Sequence, residues 1–339
     1  MCPTSPRGTG KSPLLERMRA ALAVRHYSPK TAEAYVTWVR RFVVFHERQH
    51  PLSMGAAEVS AFLSHLAVER SVSASTQNQA LAALLFLYAG VLDRPLEPLG
   101  SLVRAKRPAR IPIVMSSAEV RAVLAELEGV WHLMASLLYG SGLRLLECVT
   151  LRVKDIDFGN GQVLVRRGKG HKDRSTLLPH ALVGALRDHL LRVRERYDSD
   201  RKEETAGVEL PSALSAKYPN AAREWAWQWA FPATRRYIDQ STGEQRRHHI
   251  HETALQRAVR AAASTAGLSK PVSCHTFRHS FATKLLMQGG DLRSVQILLG
   301  HSNISTTQIY THISDQRIKE LHSKVFSKTE TKPQKGFEV

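Results

Sequence analysis

The sequence predicts a mainly α protein of two domains carrying one small antiparallel β-sheet, an α+β arrangement in which helices dominate. Three observations lead there. At 339 residues the chain exceeds the usual span of one domain, and 43% hydrophobic residues can furnish a core for each of two. Apolar residues recur at helical spacing through most of the length. Between residues 154 and 179 that period gives way to short β runs joined by glycine-bearing turns.

After a flexible N-terminus at 1–11, four helical stripes define a first domain at 12–93. They run from Leu14 to Val24, Lys30 to Gln49 (Tyr35, Trp38, Val39, Phe42), Ala57 to Val68 (Val59, Phe62, Leu63, Leu66) and Ser75 to Leu92 (Leu81, Leu84, Leu87). Ser28-Pro29 supplies an N-cap followed by proline at the first helical position. A linker at 94–113 follows, where Pro95, Pro98, Pro108 and Pro112 resist helix and Arg104, Lys106, Arg107 and Arg110 suit an extended strap against phosphates. The second domain, 114–326, opens on Ser116 with Glu119 three residues later, a capping-box signature. Helices reach Tyr139, and the Gly140-Ser141-Gly142 turn re-enters helix at Leu143. Asp155 to Phe158, Gln162 to Arg166 and Ser175 to Leu178 form a three-stranded antiparallel sheet. Further helices are expected at Pro179 to Tyr197, Glu252 to Ala266, His275 to Gln288, Leu292 to Leu299, Ser305 to Ile313 and Asp315 to Phe326, before a flexible tail at 327–339. An insertion at about 199–249 fits neither period, although Trp225, Trp227 and Trp229 alternate as strand residues do.

Composition narrows the function classes. No stretch approaches the roughly 18–20 apolar residues of a membrane span, and the opening segment lacks the apolar centre of a signal peptide, so a soluble, cytoplasmic protein is expected. Cys2, Cys148 and Cys274 are odd in number and far apart, which excludes a disulfide framework and a cysteine zinc site. With 48 Lys and Arg against 30 Asp and Glu the formal charge is +18, spread along the chain, and nucleic acid is the expected partner.

Four patches place phosphate-binding or proton-moving groups at turns or helix ends. Arg144 follows the glycine turn, where its planar fork can hold two phosphate oxygens. Lys169 stands between two glycines at a hairpin tip, with Lys172 three residues on as the competing lysine. His275 and Arg278, three apart, project from one helical face. His301 follows Leu298-Leu299-Gly300 and precedes Tyr310 by nine residues. Such a set can cleave a phosphodiester without metal: the tyrosine oxygen attacks, guanidinia stabilise the phosphorane, and Lys or His moves protons. No metal is expected, since Thr276 stands where an HExxH motif has glutamate. A Walker A sequence is also missing, so no cofactor is expected.

Taken together, Gly142-Leu143-Arg144-Leu145-Leu146-Glu147, Gly168-Lys169-Gly170, His275-Thr276-Phe277-Arg278-His279 and Leu298-Leu299-Gly300-His301 with Tyr310-Thr311-His312 resemble the ordered signature of tyrosine site-specific recombinases. The match extends over about residues 12–313 and covers the first helical unit, which resembles their core-binding domain, ahead of a catalytic domain. Within that family the chain is most similar to integron integrases. The segment from Leu210 to His249, with its tryptophans and Arg246-Arg247-His248-His249, resembles the insertion that their relatives lack.

The resemblance implies an enzyme that integrates and excises gene cassettes through a 3′-phosphotyrosyl intermediate, including at folded single-stranded sites with extrahelical bases. Tyr310 would attack, Arg144 and Arg278 would hold the non-bridging oxygens, Lys169 would protonate the leaving 5′-oxygen, His275 would assist proton transfer, His301 would donate to the phosphate, and Glu147 would orient its neighbours. Arg104, Lys106, Arg107 and Arg110, with Trp227, Arg246, Arg247, His248 and His249 of the insertion, would contact DNA. The implied assembly is a homotetramer on two DNA sites, with the C-terminal helix contacting a neighbouring protomer. The competing readings are a Xer-like or phage-type recombinase on duplex sites, a type IB topoisomerase-like swivelase, and a non-catalytic DNA-binding protein retaining the fold.

Overall fold

In a computed structural model, residues 12–97, 112–166, 173–203, 205, 207–210, 212–240, 242–301, 303 and 305–308 are described. The chain divides into two compact units, Met1–Arg110 and Ile111–Val339.

In the first unit, α1 (Pro13–Val24), α2 (Pro29–Phe45), α3 (Ala56–Val68) and α4 (Ala74–Gly90) close around one core. Each start has a local cause. The hydroxyls of Ser28 and Ser73 accept from the backbone N–H groups of Thr31 and Thr76, and the Glu58 carboxylate accepts from Gly55 N–H at 2.6 Å. Met18, Leu22, Val39, Phe42, Leu63, Leu84 and Leu87 are fully buried. Truncating an aromatic such as Phe42 costs roughly 3–5 kcal/mol, so this unit has a substantial core of its own. Tyr88, also fully buried, donates to the Pro51 carbonyl at 3.1 Å and ties α4 to the loop before α3.

The second unit opens with α5 (Ser117–Ala125) and α6 (Gly129–Gly140), and the Ser116–Glu119 capping box forms as its spacing suggests. The short α7 (Leu145–Val149) leads into an antiparallel sheet of β1 (Ile156–Asp157), β2 (Gln162–Val165) and β3 (Arg174–Leu177), in order β1-β2-β3. Its register pairs Ile156 with Val163 and Val165 with Arg174. α8 (Val183–Lys202) runs past the expected end at Tyr197, because Arg194 pairs with Asp198 and Ser199 with Glu203 across its last turns.

The insertion is ordered by contacts that its sequence does not announce. It contains α9 (Ser212–Lys217), single 3-10 turns at Ala221–Arg223 and Trp225–Trp227, and a bulged hairpin of β4 (Pro232–Ile238) and β5 (Gln245–His249). The alternating tryptophans therefore do not lie on one strand. Trp225 and Trp227 share a 3-10 turn, and Trp229 makes an isolated bridge with Arg152. α10 (Glu252–Thr265), α11 (Cys274–Met287), α12 (Leu292–Leu299) and α13 (Ser305–Gln308) complete the described residues. α10 and α11 carry Leu255, Val259, Phe277 and Cys274 into the core that α6 fills with Leu133, Met134, Leu137 and Leu138. Cys148 and Cys274 are buried free thiols. No helix among the described residues is long and apolar enough to cross a membrane.

Candidate active site

The site is assembled where three chain turns meet. At the first, α6 ends and Gly142 adopts a positive φ of 62°, with its carbonyl facing α11. A Cβ there would lie 2.5 Å from the Phe281 ring, so glycine lets α11 pack directly on the turn. Arg144 then occupies the N-cap of α7 rather than its first turn, and Glu147 folds back to accept its backbone N–H at 2.8 Å and its guanidinium at 2.7 Å.

α11 presents Arg278, only 3% exposed. Its guanidinium donates to the carbonyls of Gly142 and Leu299 at 2.5 Å each and to His301 Nε2 at 3.2 Å. The third turn is the end of α12, where Gly300 takes the left-handed cap conformation. Three successive carbonyls there accept from three arginines of different elements. Leu298 receives Arg174 Nε at 3.2 Å, Leu299 receives Arg278, and Gly300 receives Arg144 in a long contact of 3.5 Å. The Gln296 amide holds the next carbonyl, that of His301, at 2.9 Å. Because His301 Nε2 accepts from a guanidinium, its proton is assigned to Nδ1, which donates to Thr307 Oγ1 at 2.8 Å.

Charge follows this geometry. Burial opposes ionisation of Glu147, but the hydrogen bonds and charges of Arg174 and Arg144 outweigh it and hold the carboxyl at about 2. His301 is pushed down to about 3 by burial and then by Arg278, Arg144 and Arg174. His279 falls to about 4 through burial and its neighbours His275 and Arg278, and His275 is lowered by burial, Arg278 and Arg144. The imidazoles are thus neutral beside permanently charged guanidinia, an arrangement that accepts an anion and can then take up a proton.

Acid should destabilise the fold through these groups, because the folded state binds fewer protons than the unfolded chain. The contribution of His301 is complete above its ordinary 6.5 and is lost as pH falls toward 3; that of Glu147 is complete above 4.5 and is lost toward 2. The urea midpoint is therefore expected to fall between neutral pH and about pH 4, and less steeply in His301→Gln. Equal slopes in both proteins would remove His301 from the account.

Of the expected catalytic residues, Arg144, His275, Arg278 and His301 come together, whereas Lys169, Lys172 and Tyr310 lie outside the described residues, as do Arg104, Lys106, Arg107 and Arg110. Sequence reasoning missed Arg174, whose fork donates to both Glu147 oxygens at 2.8 and 2.7 Å. The single hint in the sequence was an arginine opening the strand after the lysine-bearing hairpin.

It also missed Arg152, 8% exposed, which joins the insertion to the rest of the unit. Arg152 donates to the carbonyls of Trp227 and Glu209 at 2.5 and 2.8 Å and lies 3.8 Å over the Trp229 ring. Lys154 covers the Trp227 ring with its Nζ 2.6 Å from the centroid. Burial, with Arg166 nearby, lowers that ammonium to about 8. Beside Trp227 and Trp229 is a cavity of about 290 Å³ walled by Leu146, Thr150 and Leu164.

The other insertion residues meet partners that the sequence reading did not foresee. Arg247 is held by both oxygens of Asp200, at 2.5 and 2.6 Å, and by the carbonyls of Ala233 and Thr234. Arg246 pairs with Asp239 at 3.2 Å and Glu244 at 2.6 Å. Arg247 ties the hairpin to α8 through Asp200, while Arg246 closes the hairpin's own turn and reaches outside it to the Val208 carbonyl at 3.4 Å, so neither faces outward unpaired. His248 and His249 pack together with ring centroids 4.0 Å apart, and His249 meets the edge of buried Trp229 at 5.2 Å.

Comparison with known proteins agrees with the geometry. Residues 114–317 match the phage integrase family, and residues 14–98 match the phage integrase N-terminal SAM-like domain. An "Integrase/recombinase" of Escherichia coli is 48% identical over 300 residues, covering 88% of this chain and 89% of that protein. A "Tyrosine recombinase XerD" of Agrobacterium fabrum is 34% identical over 323 residues, covering 90% and 88%. In fold, the chain is similar to XerH site-specific recombinase bound to palindromic difH substrate, with a TM-score of 0.61 and 20% identity over 91% of this chain and 84% of that one. A lambda integrase (75–356) dimer bound to a COC′ core site gives a TM-score of 0.59 at 17% identity over 95% and 98%. Having the helical N-terminal unit, the arginine-rich site and both family segments in order, the chain belongs to the phage integrase family and is a tyrosine recombinase, an enzyme that cuts and rejoins DNA at specific sites.

Proposed function

We propose that this recombinase is an integron-type integrase that moves gene cassettes and accepts folded single-stranded sites as well as duplexes. In this reading Tyr310 attacks the scissile phosphate and forms a 3′-phosphotyrosyl bond as the 5′-oxygen leaves with a proton from Lys169. Arg144 and Arg278 hold the non-bridging oxygens, His275 assists proton transfer, and His301 donates to the phosphate after its Nε2 takes up a proton. The freed 5′-hydroxyl of the partner strand then attacks the phosphotyrosine, so bond energy is conserved and no cofactor is consumed. The 12–93 domain and the 114–326 domain both contact the site, and the cations of the 94–113 linker follow the phosphates. Four protomers act on two DNA sites, with the C-terminal helix contacting a neighbour.

The observation that carries the integron reading is Trp227. Its ring is held by Lys154 and Arg152 at the edge of a cavity that the insertion shares with residues 146–166, where leucines and charged side chains both line the wall, and so offers a plane beside which an unpaired base could lodge. A Xer-like enzyme acting on duplex sites is the second reading. It is favoured by the likeness to a tyrosine recombinase XerD and by the acidic partners that occupy Arg246 and Arg247. Stacking is worth on the order of 1–3 kcal/mol per base, or roughly tenfold in affinity for each 1.4 kcal/mol. Trp227→Ala should therefore weaken binding to a hairpin with extrahelical bases far more than to the same hairpin lacking them, in titrations at one salt concentration. Equal weakening on both would favour the duplex enzyme.

A further inference from the structure

We propose that Arg174 is a positioning residue: it holds the buried Glu147 carboxylate so that Arg144 can turn its guanidinium from that carboxylate to a phosphate oxygen. The inference rests on the reading that Arg144 binds the scissile phosphate. Glu147 has a side chain only 8% exposed, and it is held by two arginines, with Oε1 shared between their guanidinia and Oε2 between Arg174 and the Arg144 backbone N–H. Arg144 reaches Oε1 at 2.7 Å, while Arg174 reaches Oε1 at 2.8 Å and Oε2 at 2.7 Å. A carboxylate offers about four acceptor positions, so both forks fit at once.

The difficulty that this solves is electrostatic. A buried carboxylate that loses its counter-ion is an uncompensated charge, strongly unfavourable in a desolvated site. If Arg144 were the full partner of Glu147, moving it to a phosphate would strand that charge. Arg278 could not replace it, since its Nη1 stays 3.9 Å from Oε2 and its fork is committed to the Gly142 and Leu299 carbonyls. With Arg174 on both oxygens, the move costs one hydrogen bond and leaves the charge balanced.

The two arginines are also fixed to different degrees. The Arg174 side chain is 10% exposed, donates to the Leu298 carbonyl, and lies so close to Gly300 that a Cβ there would sit 2.5 Å from its Cδ. Arg144 has a side chain 23% exposed, and among the described residues the one hydrogen bond its guanidinium makes away from Glu147 is the long one to Gly300. Arg174 is therefore the static clamp and Arg144 the arm that can turn.

The test compares the full-length chain with Arg174→Gln, Glu147→Gln and the double variant. Inorganic phosphate is titrated into each while the imidazole resonances of His275 and His301 are followed. Arg174→Gln is expected to weaken phosphate binding at these resonances by about tenfold or more, since Arg144 is then held as sole counter-ion. The double variant is expected to recover most of that loss, because a neutral amide needs no counter-ion. If the two side chains served only to support the fold, their effects would instead add and the double variant would bind phosphate worse than either single one. Wild-type binding in Arg174→Gln, or a double variant no better than it, overturns the proposal. Should Arg174→Gln fail to fold, the double variant is compared with Glu147→Gln alone: equal phosphate affinity is expected, since without the carboxylate Arg174 has no charge to balance, and a clearly weaker double variant overturns the proposal. Covalent adducts captured from a pool of randomised nicked duplexes provide a separate arm. If no adduct forms at Tyr310 while the phosphate pattern holds, the recombinase role of the site fails and the Arg174 assignment stands.

Discussion

Tyr310→Phe is expected to abolish covalent protein–DNA adducts while leaving affinity for the same DNA close to that of the parent chain. The substitution removes the attacking oxygen and little else. Loss of an enzyme nucleophile costs on the order of 10⁵–10⁶ in rate, so residual adducts should be undetectable on a nicked suicide duplex. Binding must be compared at one salt concentration, because each phosphate contact adds roughly 0.9 to the salt slope on duplex DNA and would otherwise mask the comparison. The parent reaction is also expected to proceed in a chelator, as a set of arginines, histidines, a lysine and a tyrosine supplies charge stabilisation and proton transfer by itself. Adducts forming at the parent rate in Tyr310→Phe would place the nucleophile elsewhere.

Arg278→Lys should reduce cleavage by at least about 10²–10³ even though it keeps the charge. Arg278 is 3% exposed, and its fork spans the Gly142 carbonyl on one side and the Leu299 carbonyl and His301 on the other. One ammonium cannot reach both sides and a phosphate oxygen as well. Each carbonyl left buried without a donor costs about 1–3 kcal/mol, so the urea midpoint should fall with the activity. Adduct yields per folded molecule separate the two effects. A folded Arg278→Lys protein that cleaves like its parent would rule out the spanning role.

Helices and caps were legible wherever the information was local. Val36, Val39 and Phe42 face one core because their spacing puts them on one side of α2, and Ser28 caps that helix through a hydroxyl three residues from its donor. The short sheet was legible for the same reason. Arg144, His275, Arg278 and His301, which the fold gathers in one place, could be marked as neighbours in advance because fixed local motifs carry them.

What escaped were pairings across large separations. Nothing near Arg174 in the chain announces Glu147, which lies 27 residues away, and Arg247 meets Asp200 at a distance of 47. Read as sequence, Arg247 is simply a cation in a basic chain; its acid, Asp200, comes from the end of α8, which only the fold brings near, whereas Arg246 meets Asp239 and Glu244 of its own hairpin turn. The tryptophans misled because alternation is a strand signal only where a neighbouring strand exists to pair with. Here Arg152 draws in the Trp227 carbonyl and the Trp229 face instead.

The end of α12 has a consequence for how this enzyme fails. Its three successive carbonyls engage arginines from the α7 cap, β3 and α11, so each guanidinium is aimed partly by a peptide group that the other two also steady. Fraying of that one helical turn would misaim all three cations together. Heat or a destabilising lesion near Leu298 is then expected to silence molecules one at a time, as an all-or-none loss across the population, with every surviving molecule retaining its full turnover rate.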